Sequence, residues 1–560
     1  MNYTNLNNQP ENEENIENKC KYITSSCHFI KKYTINPISE YITRLRTIFG
    51  LKFLIILAII NLLLNGILFQ TVKWSILPIF KSKNLNAGTV QLYTAIIMSP
   101  YAIKPILGIL SDLIPIAGYN KKWYIFQSTI IGILSAGSLL IFNSTTNVIL
   151  ICFIGINYQA SIADLLSEGA YTKIMREHPE SGSDIVTFNN GLKFTGQIIS
   201  LCFLGPLVDK DLYYVIFIIM LIVTSTPLLP TLFNFIPEEK KSNKLITVDT
   251  DIVKKSWKTL SIIGFTGLSA LTLAILSVMI DKNIVLLVSV LLLICISVGT
   301  AITFPNIIFR VVLYQILIKI IKPSLGSAMD YFYTADKLCL PDGPHFDFKY
   351  YITYTGLLGT IISLFTVWFY QAFLSKLRFR TVLILTTIFL SMSGVSDMII
   401  VLRWNIKLGI PDPVFYILGE AIIEPVVHTL YNIPISTFIS KVCPKNSEAS
   451  TYAFLAGVNQ LSTMVAKLSG VVIFEHAGIK TLVPCDFSNL WWLILVCHIT
   501  PPLLFGIPLT WLFPDNNHTD SIILDENNSN LLQSDNENDI EANERYTIDI
   551  DEISINDEIS

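Results

Sequence analysis

Apolar runs of about the 20 residues needed to cross roughly 30 Å of hydrocarbon recur along this chain, and they leave little room for any fold but an all-α polytopic membrane protein. The first half holds six, at about 49 to 70, 89 to 110, 123 to 142, 147 to 168, 190 to 208 and 212 to 235. A hydrophilic stretch, EEKKSNKLITVDTDIVKK, follows at 238 to 255 and reads as a connecting loop. Beyond it come 259 to 279, 284 to 303 and a more amphipathic run from Phe309 to about Tyr333. The runs at 350 to 371, 380 to 402, 413 to 438, 449 to 477 and 490 to 513 complete an expected fourteen.

Composition agrees. Only 15% of the 560 residues are charged and 52% are apolar, where a soluble globular chain carries about one quarter charged. The net charge of -4 comes largely from tails, because Asp and Glu crowd into residues 10 to 20 and 516 to 559. No broad basic face is present, so nucleic acid is not an expected partner. Nine cysteines without close pairs suggest neither a zinc site nor a dense disulfide scaffold. The first apolar run follows about 48 polar residues, so no cleavable signal peptide is expected.

Orientation follows from Lys and Arg. Lys31, Lys32, Arg44 and Arg46 precede the first span; Lys121 and Lys122 separate the second and third; Lys173 and Arg176 follow the fourth; Lys240, Lys241 and Lys244 follow the sixth. Lys376, Arg378 and Arg380 lie between the spans at 350 to 371 and 380 to 402. With fourteen spans all five clusters share one side, which the positive-inside rule makes cytoplasmic, with both termini. The run at 309 to 333 must cross, since otherwise the Lys376 cluster would face outside; a twelve-span alternative demotes two helices.

Six spans, two more and then six match a common transporter plan, with a substrate site near the midplane between two halves. A receptor, channel, scramblase or membrane enzyme divides in the same way. No GxxxxGKS/T loop, HExxH or GxSxG is found, so no enzyme is expected, and secondary transport is favoured over ATP-driven transport. The boundaries expected are a disordered and amphipathic region at 1–48, a six-helix bundle at 49–236 and a linker at 237–258. Two further helices at 259–304, a second six-helix bundle at 305–514 and an acidic disordered tail at 515–560 follow.

Ionisable groups inside spans are costly and usually face a cavity or a partner. Lys104 lies between Pro100 and Pro105 and suits either an anionic substrate or a carboxylate partner. Asp112, near Gly108 and ahead of Lys121 and Lys122, suits a gating latch. Asp164 and Glu168 are four apart on one helix face and suit a proton or cation site, or a cap near Lys173 and Arg176. Asn189, Asn190, Lys193 and Gln197 form a polar stripe in the fifth span. Asp330, Tyr333 and Asp336 follow the amphipathic run, and Asp397 and Arg403 bracket a span end. Glu420, Glu424 and His428 recur every four residues and suit a proton path; a metal site is disfavoured for want of a fourth ligand. Cys339 and Cys485 fall in expected outer loops, where one bridge is slightly favoured over two free thiols. The sequon at Asn517 is expected to be unused, and that at Asn143 lies close to the membrane.

Several motifs have a family likeness. SPYAIKPILGILSDLIPIAGYNKKWY and DLLSEGAYTKIMREHPESGSDIVTFNNGLKFTGQIIS in the first half resemble the folate-biopterin transporter (BT1) family of the major facilitator superfamily. SLGSAMDYFYTADKLCLPDGPHF, SDMIIVLRWNIKLGIPDPVFYILG and CPKNSEASTYAFLAGVNQLSTMVAKLSG in the second half do so too. The likeness spans about residues 90 to 475. It implies the major facilitator superfamily fold, two six-helix bundles with a two-helix central insertion at 259 to 303, and alternating access. It implies a substrate among folates, pterins or related metabolites; carriers of S-adenosylmethionine also belong to the family. Family positions fall on Lys104, Pro105, Gly108, Asp112, Asp164, Glu168, Gly191, Asp397, Arg403, Pro411, Asp412, Pro444 and Glu448.

A folate needs cations for its glutamate carboxylates, an acid for its pterin edge and an aromatic face for stacking. Candidate substrate contacts are the cations Lys104, Lys193 and Arg403, the acids Asp164, Asp330 and Asp397, and the rings Tyr158, Phe194 and Tyr333. Candidate coupling or gating residues are Asp112, Glu168, Glu420, Glu424 and His428. The expected partners are the small-molecule substrate, membrane lipids and protons in symport, for a monomer with no cofactor in the plasma membrane. A carrier of another metabolite and a non-transporting receptor or lipid scramblase are the rival readings.

Overall fold

The computed structural model describes residues 36–141, 145–177, 182–238, 240, 250–442 and 448–513. The two tails, most of the linker at 238 to 255, Asn143, Asn517 and Pro444 lie outside the described residues. An amphipathic helix, α1 (Asn36–Phe49), precedes the first span. Six long helices follow: α2 (Leu51–Ser82), α3 (Ala87–Leu113), α4 (Lys122–Ile141), α5 (Thr146–Glu177), α6 (Gly182–Asp209) and α7 (Tyr213–Leu232). The hairpin α8 (Thr250–Met279) and α9 (Lys282–Thr303) comes next. The second half is α10 (Asn306–Ile321), α11 (Gly326–Tyr333), α12 (Lys349–Ala372), α13 (Phe379–Val401), α14 (Asp412–Ile435), α15 (Glu448–His476) and α16 (Leu490–Leu512).

Among the described residues, 12 helices are long and apolar enough to cross a membrane. Fourteen runs were expected, and the two not among these 12 are α15 and the pair α10 and α11, which form one broken helix. The break falls at Lys322–Leu325, where Pro323 lacks the N–H that would continue the ladder. The first span is longer than expected, reaching Ser82, because Gln70, Thr71 and Ser75 are buried among helices and do not end it.

A close crossing joins α2 to α6. A Cβ built on Gly66 would sit 2.7 Å from Gly196 Cα, so both positions need glycine for the backbones to meet. Thr71 and Ser200 share a hydroxyl hydrogen bond of 2.8 Å at the same seam. The α8–α9 hairpin packs along α3 and α15, and Lys282 is paired with Glu475 at 2.6 Å.

The two ends of the bundle differ. At one end Cys339 and Cys485 are disulfide-bonded with Cα atoms 5.1 Å apart, as the sequence reading favoured. The other end carries Arg44, Arg46, Lys121, Lys122, Arg378 and Arg380. Here Glu238 accepts backbone N–H groups of Asn120, Lys121 and Lys122 at 2.6 to 3.3 Å, and Arg380 donates to the Phe513 carbonyl at 3.0 Å.

Candidate functional site

Among the described residues π-helical turns interrupt four spans: Ile59–Leu68 in α2, Lys349–Tyr354 in α12, Ile417–Ala421 in α14, and Leu495–Ile499 and Pro502–Gly506 in α16. Such turns rotate the following side chains away from a 3.6-residue phase, and they are frequent at functional sites.

In α2 the π-turn directs Asn61 and Asn65 into the first bundle. Asn61 donates to Asn189 Oδ1 on α6 at 3.1 Å, and Asn65 donates to Asp164 Oδ1 on α5 at 2.7 Å. Asp164 also accepts from Lys104 Nζ on α3, closing an ion pair in which both side chains are largely buried. Three helices of one bundle are thus joined through one carboxylate, and the Asn61–Asn189 bond adds α6 as the fourth. Of the two readings for Lys104, the structure displays the carboxylate pair. Lys193 lies within electrostatic reach of both Asp164 and Glu168, so the expected α5 carboxylates and the α6 lysine do converge. Tyr158 and Phe194 are half-buried, and Tyr158 lies within reach of Tyr124 on α4.

The second bundle gathers carboxylates around aromatic rings. Tyr333 donates to Asp397 Oδ1 and Tyr351 to Asp330 Oδ1, each at 2.6 Å. Tyr416 packs edge-on against Tyr333 at 4.7 Å, and Phe346 stacks on Tyr333 at 5.9 Å. Glu420 accepts from Ser393 at 2.7 Å, whereas Glu424 and His428 are exposed. The four-residue stripe is therefore divided at the end of the π-turn, with Glu420 turned toward α13. Lys322, at the α10–α11 break, lies within electrostatic reach of Asp397, Glu420 and Glu424.

Arg403 is placed elsewhere. It occupies a left-handed conformation, φ 58°, after α13, and its guanidinium holds Asp412 through two hydrogen bonds of 2.8 Å. Asn405 donates to the same carboxylate at 2.7 Å. Asp112 is exposed at the basic end, where Asn120 donates to its carbonyl at 3.1 Å.

Between the bundles, several residues that the sequence reading did not single out form a clasp at the disulfide end. Gln91 Nε2 donates to the carbonyls of Ser324 and Lys467 at 2.6 and 2.7 Å, while its Oε1 accepts the Ser327 N–H at 3.0 Å. Lys81 donates to the carbonyl and hydroxyl of Thr334, Tyr331 donates to the Leu85 carbonyl, and Ala87 N–H donates to Thr481 at 2.9 Å. Below this clasp, Lys73 and His428 are exposed, and Lys73, Lys193 and Lys319 all lie within electrostatic reach of His428. Helices α2, α6, α10 and α14, two from each bundle, therefore line one shared space.

Comparison with known proteins agrees with this architecture. The sequence profile of the BT1 family matches residues 29–533. Probable folate-biopterin transporter 6 of Arabidopsis thaliana is 23% identical over 446 residues, covering 79% of this chain and 78% of its own. The folate-biopterin transporter of Synechocystis is 23% identical, covering 74% and 72%, and folate transporter 1 of Plasmodium falciparum is 21% identical, covering 80% and 76%. Among solved structures, an auto-inhibited POT family peptide transporter aligns with a TM-score of 0.59 at 13% identity, over 84% of this chain and 98% of its own. That likeness shows the fold, the two-bundle architecture of the major facilitator superfamily.

Proposed function

The chain belongs to the BT1 family, and from that premise we propose that it carries a folate, a pterin or a related small metabolite between its two bundles by alternating access. Membership makes it a multi-pass membrane transport protein. The observation that carries the cargo reading is the shared space itself, where cations from both bundles converge beside acids and tyrosines. A pteroylglutamate needs that combination, ammonium groups for its carboxylates and a carboxylate with rings for its pterin.

In this reading Lys193, Phe194, Tyr158, Asp330 and Tyr333 contact solute, and the Lys104–Asp164 pair fixes the first wall of the site. Asp397, Glu420 and Glu424 around Lys322, together with Glu168, carry the proton coupling of a symporter. Arg403 holds the α13–α14 loop, and Asp112 serves the basic-end latch. The basic end is cytoplasmic, with both termini, and the clasp closes the outer end, so this conformation faces inward. The plasma membrane is the proposed location, and the domain limits follow the helices, with α8 and α9 inserted between two six-helix bundles.

Uptake of labelled folate into sealed proteoliposomes, with and without an inward proton gradient, tests this. Gradient-stimulated accumulation is expected. Uptake indifferent to the gradient removes the coupling, and no uptake by folded, inserted protein removes folate as cargo.

A further inference from the structure

Three lysines in the shared space took no part in the sequence reading. Lys73 lies on α2, Lys319 on α10 and Lys467 on α15, so both bundles contribute. Each lies within electrostatic reach of another: Lys73 and Lys319 both act on Lys467, and both act on His428. None of the three forms an ion pair among the described residues. Their nearest ring contacts are Trp74, 5.5 Å from Lys73, and Tyr431, 5.1 Å from Lys319.

Like charges gathered inside a membrane repel one another and lose hydration, and neither loss is offset by a neighbouring carboxylate in contact. Asp330 lies within reach of Lys73 and Lys467, yet its carboxylate is hydrogen-bonded by Tyr351. Polar groups on the same helix faces are also unsatisfied. Gln315, one turn before Lys319 and 2% exposed, has an Oε1 without a partner, as have the Tyr431 hydroxyl and Asn459 Oδ1. Asn459, Thr463 and Lys467 are spaced by four, on one face of α15. Such an arrangement becomes favourable when a visiting anion supplies the missing charge and accepts from the Tyr431 hydroxyl, while the Gln315 and Asn459 amide oxygens, which can only accept, are left for a donor on the same solute.

We propose that Lys73, Lys319 and Lys467, with the Tyr431 hydroxyl beside them, form an anion subsite that takes the dicarboxylate end of a solute and draws the two bundles together around it. The inference rests on the transport reading above and assigns the charged end of the cargo to residues distinct from Lys104, whose ammonium is already held by Asp164. A pterin ring then lies toward Asp330 and the tyrosines.

The test is equilibrium binding by calorimetry to the full-length protein in lipid nanodiscs, using a ladder of probes. Pteroylglutamate carries two carboxylates, pteroate one and biopterin none, while 4-aminobenzoylglutamate carries two carboxylates and no pteridine. For K319Q and K467Q the expected result is about a tenfold or larger loss of pteroylglutamate affinity, since a charge-assisted hydrogen bond is worth roughly 1.5–3 kcal/mol. Pteroate loses less, biopterin is unchanged, and K319R recovers part of the loss. If K467Q fails to fold, K73Q and K319Q read the same contrast. An equal loss across the ladder, or none, overturns the subsite. Lysine-dependent binding of 4-aminobenzoylglutamate without binding of any pteridine upholds the subsite and removes the folate reading. Pteridine binding indifferent to carboxylate number does the reverse, and a protein that binds no probe overturns both.

Discussion

The side-chain amide of Gln91 is bound to the carbonyl of Ser324 at 2.6 Å, tying the first turns of α3 to the unwound joint between α10 and α11. Pro323 opens that joint, so its carbonyls lack helical partners, and Gln91 supplies one from the opposite bundle. The same amide reaches Lys467 on α15, so three segments meet at one residue. A transporter that alternates must break this clasp to open at the disulfide end. Replacing Gln91 by Leu removes three hydrogen bonds, each worth about 0.5–1.5 kcal/mol net. Q91L is expected to favour the outward-open form, read as faster labelling of S327C by an impermeant maleimide added outside. Labelling unchanged from that in the Gln91 background would show that the clasp does not control opening.

The Lys104–Asp164 pair offers a sharper energetic contrast. Removing one partner of a largely buried pair strands the other charge and costs about 3–5 kcal/mol, whereas removing both is much milder. K104A and D164A are each expected to lower the melting temperature in detergent more than K104A/D164A does. Additive losses in this double-mutant cycle would mean that the two side chains act independently.

How far these relationships were legible depends on what fixes each one. Span positions follow from local apolar length and could be read, whereas the α10–α11 break at Pro323 was passed over as one continuous run from Phe309 to Tyr333. Lys104 and Asp164 were both recognised as anomalous inside apolar runs, yet their pairing is a tertiary fact. Glu420, Glu424 and His428 look like one stripe at helical spacing, but the π-turn over Ile417–Ala421 ends at that point and Glu420 bonds Ser393 instead. Gln91 was hidden because a single amide in an apolar run has no local signature. Lys73 was hidden because a lysine just past the end of an apolar run resembles a flanking anchor, and Lys319 because it lies within a run already amphipathic.

The amphipathic helix α1 is held at the basic end by two kinds of contact. Arg44 is paired with Asp184 at 2.8 Å, but its side chain is 58% exposed, so solvent screening limits the pair to about 0–1 kcal/mol. Leu45 is fully buried and Phe49 nearly so, and a Leu-to-Ala change at such a site costs about 2–5 kcal/mol. Hydrogen exchange over Asn36–Phe49 is therefore expected to rise strongly in L45A and little in R44A. The reverse order would make the ion pair the true anchor. Tyr41 donates to the Asp184 carbonyl at 2.6 Å, and burial, aided by the Asp184 charge, raises its phenol above the usual tyrosine range. The neutral donor thus persists as pH rises through that range, and α1 is expected to stay docked up to mildly alkaline pH.

Arg403 separates a folding role from a substrate role. Its guanidinium grips Asp412 in a two-bond fork that lysine does not reproduce, and its left-handed backbone favours Gly or Asn over most residues. R403K keeps the charge and loses the fork, leaving Asp412 with Asn405. If Arg403 positions the α13–α14 loop, R403K lowers the yield of monodisperse protein and its melting temperature while the folded fraction keeps the wild-type KM. If Arg403 instead binds solute, R403K raises KM with thermal stability unchanged. The bidentate geometry predicts the first outcome, and D412N, which keeps the side-chain shape but loses the charge, is expected to reproduce it.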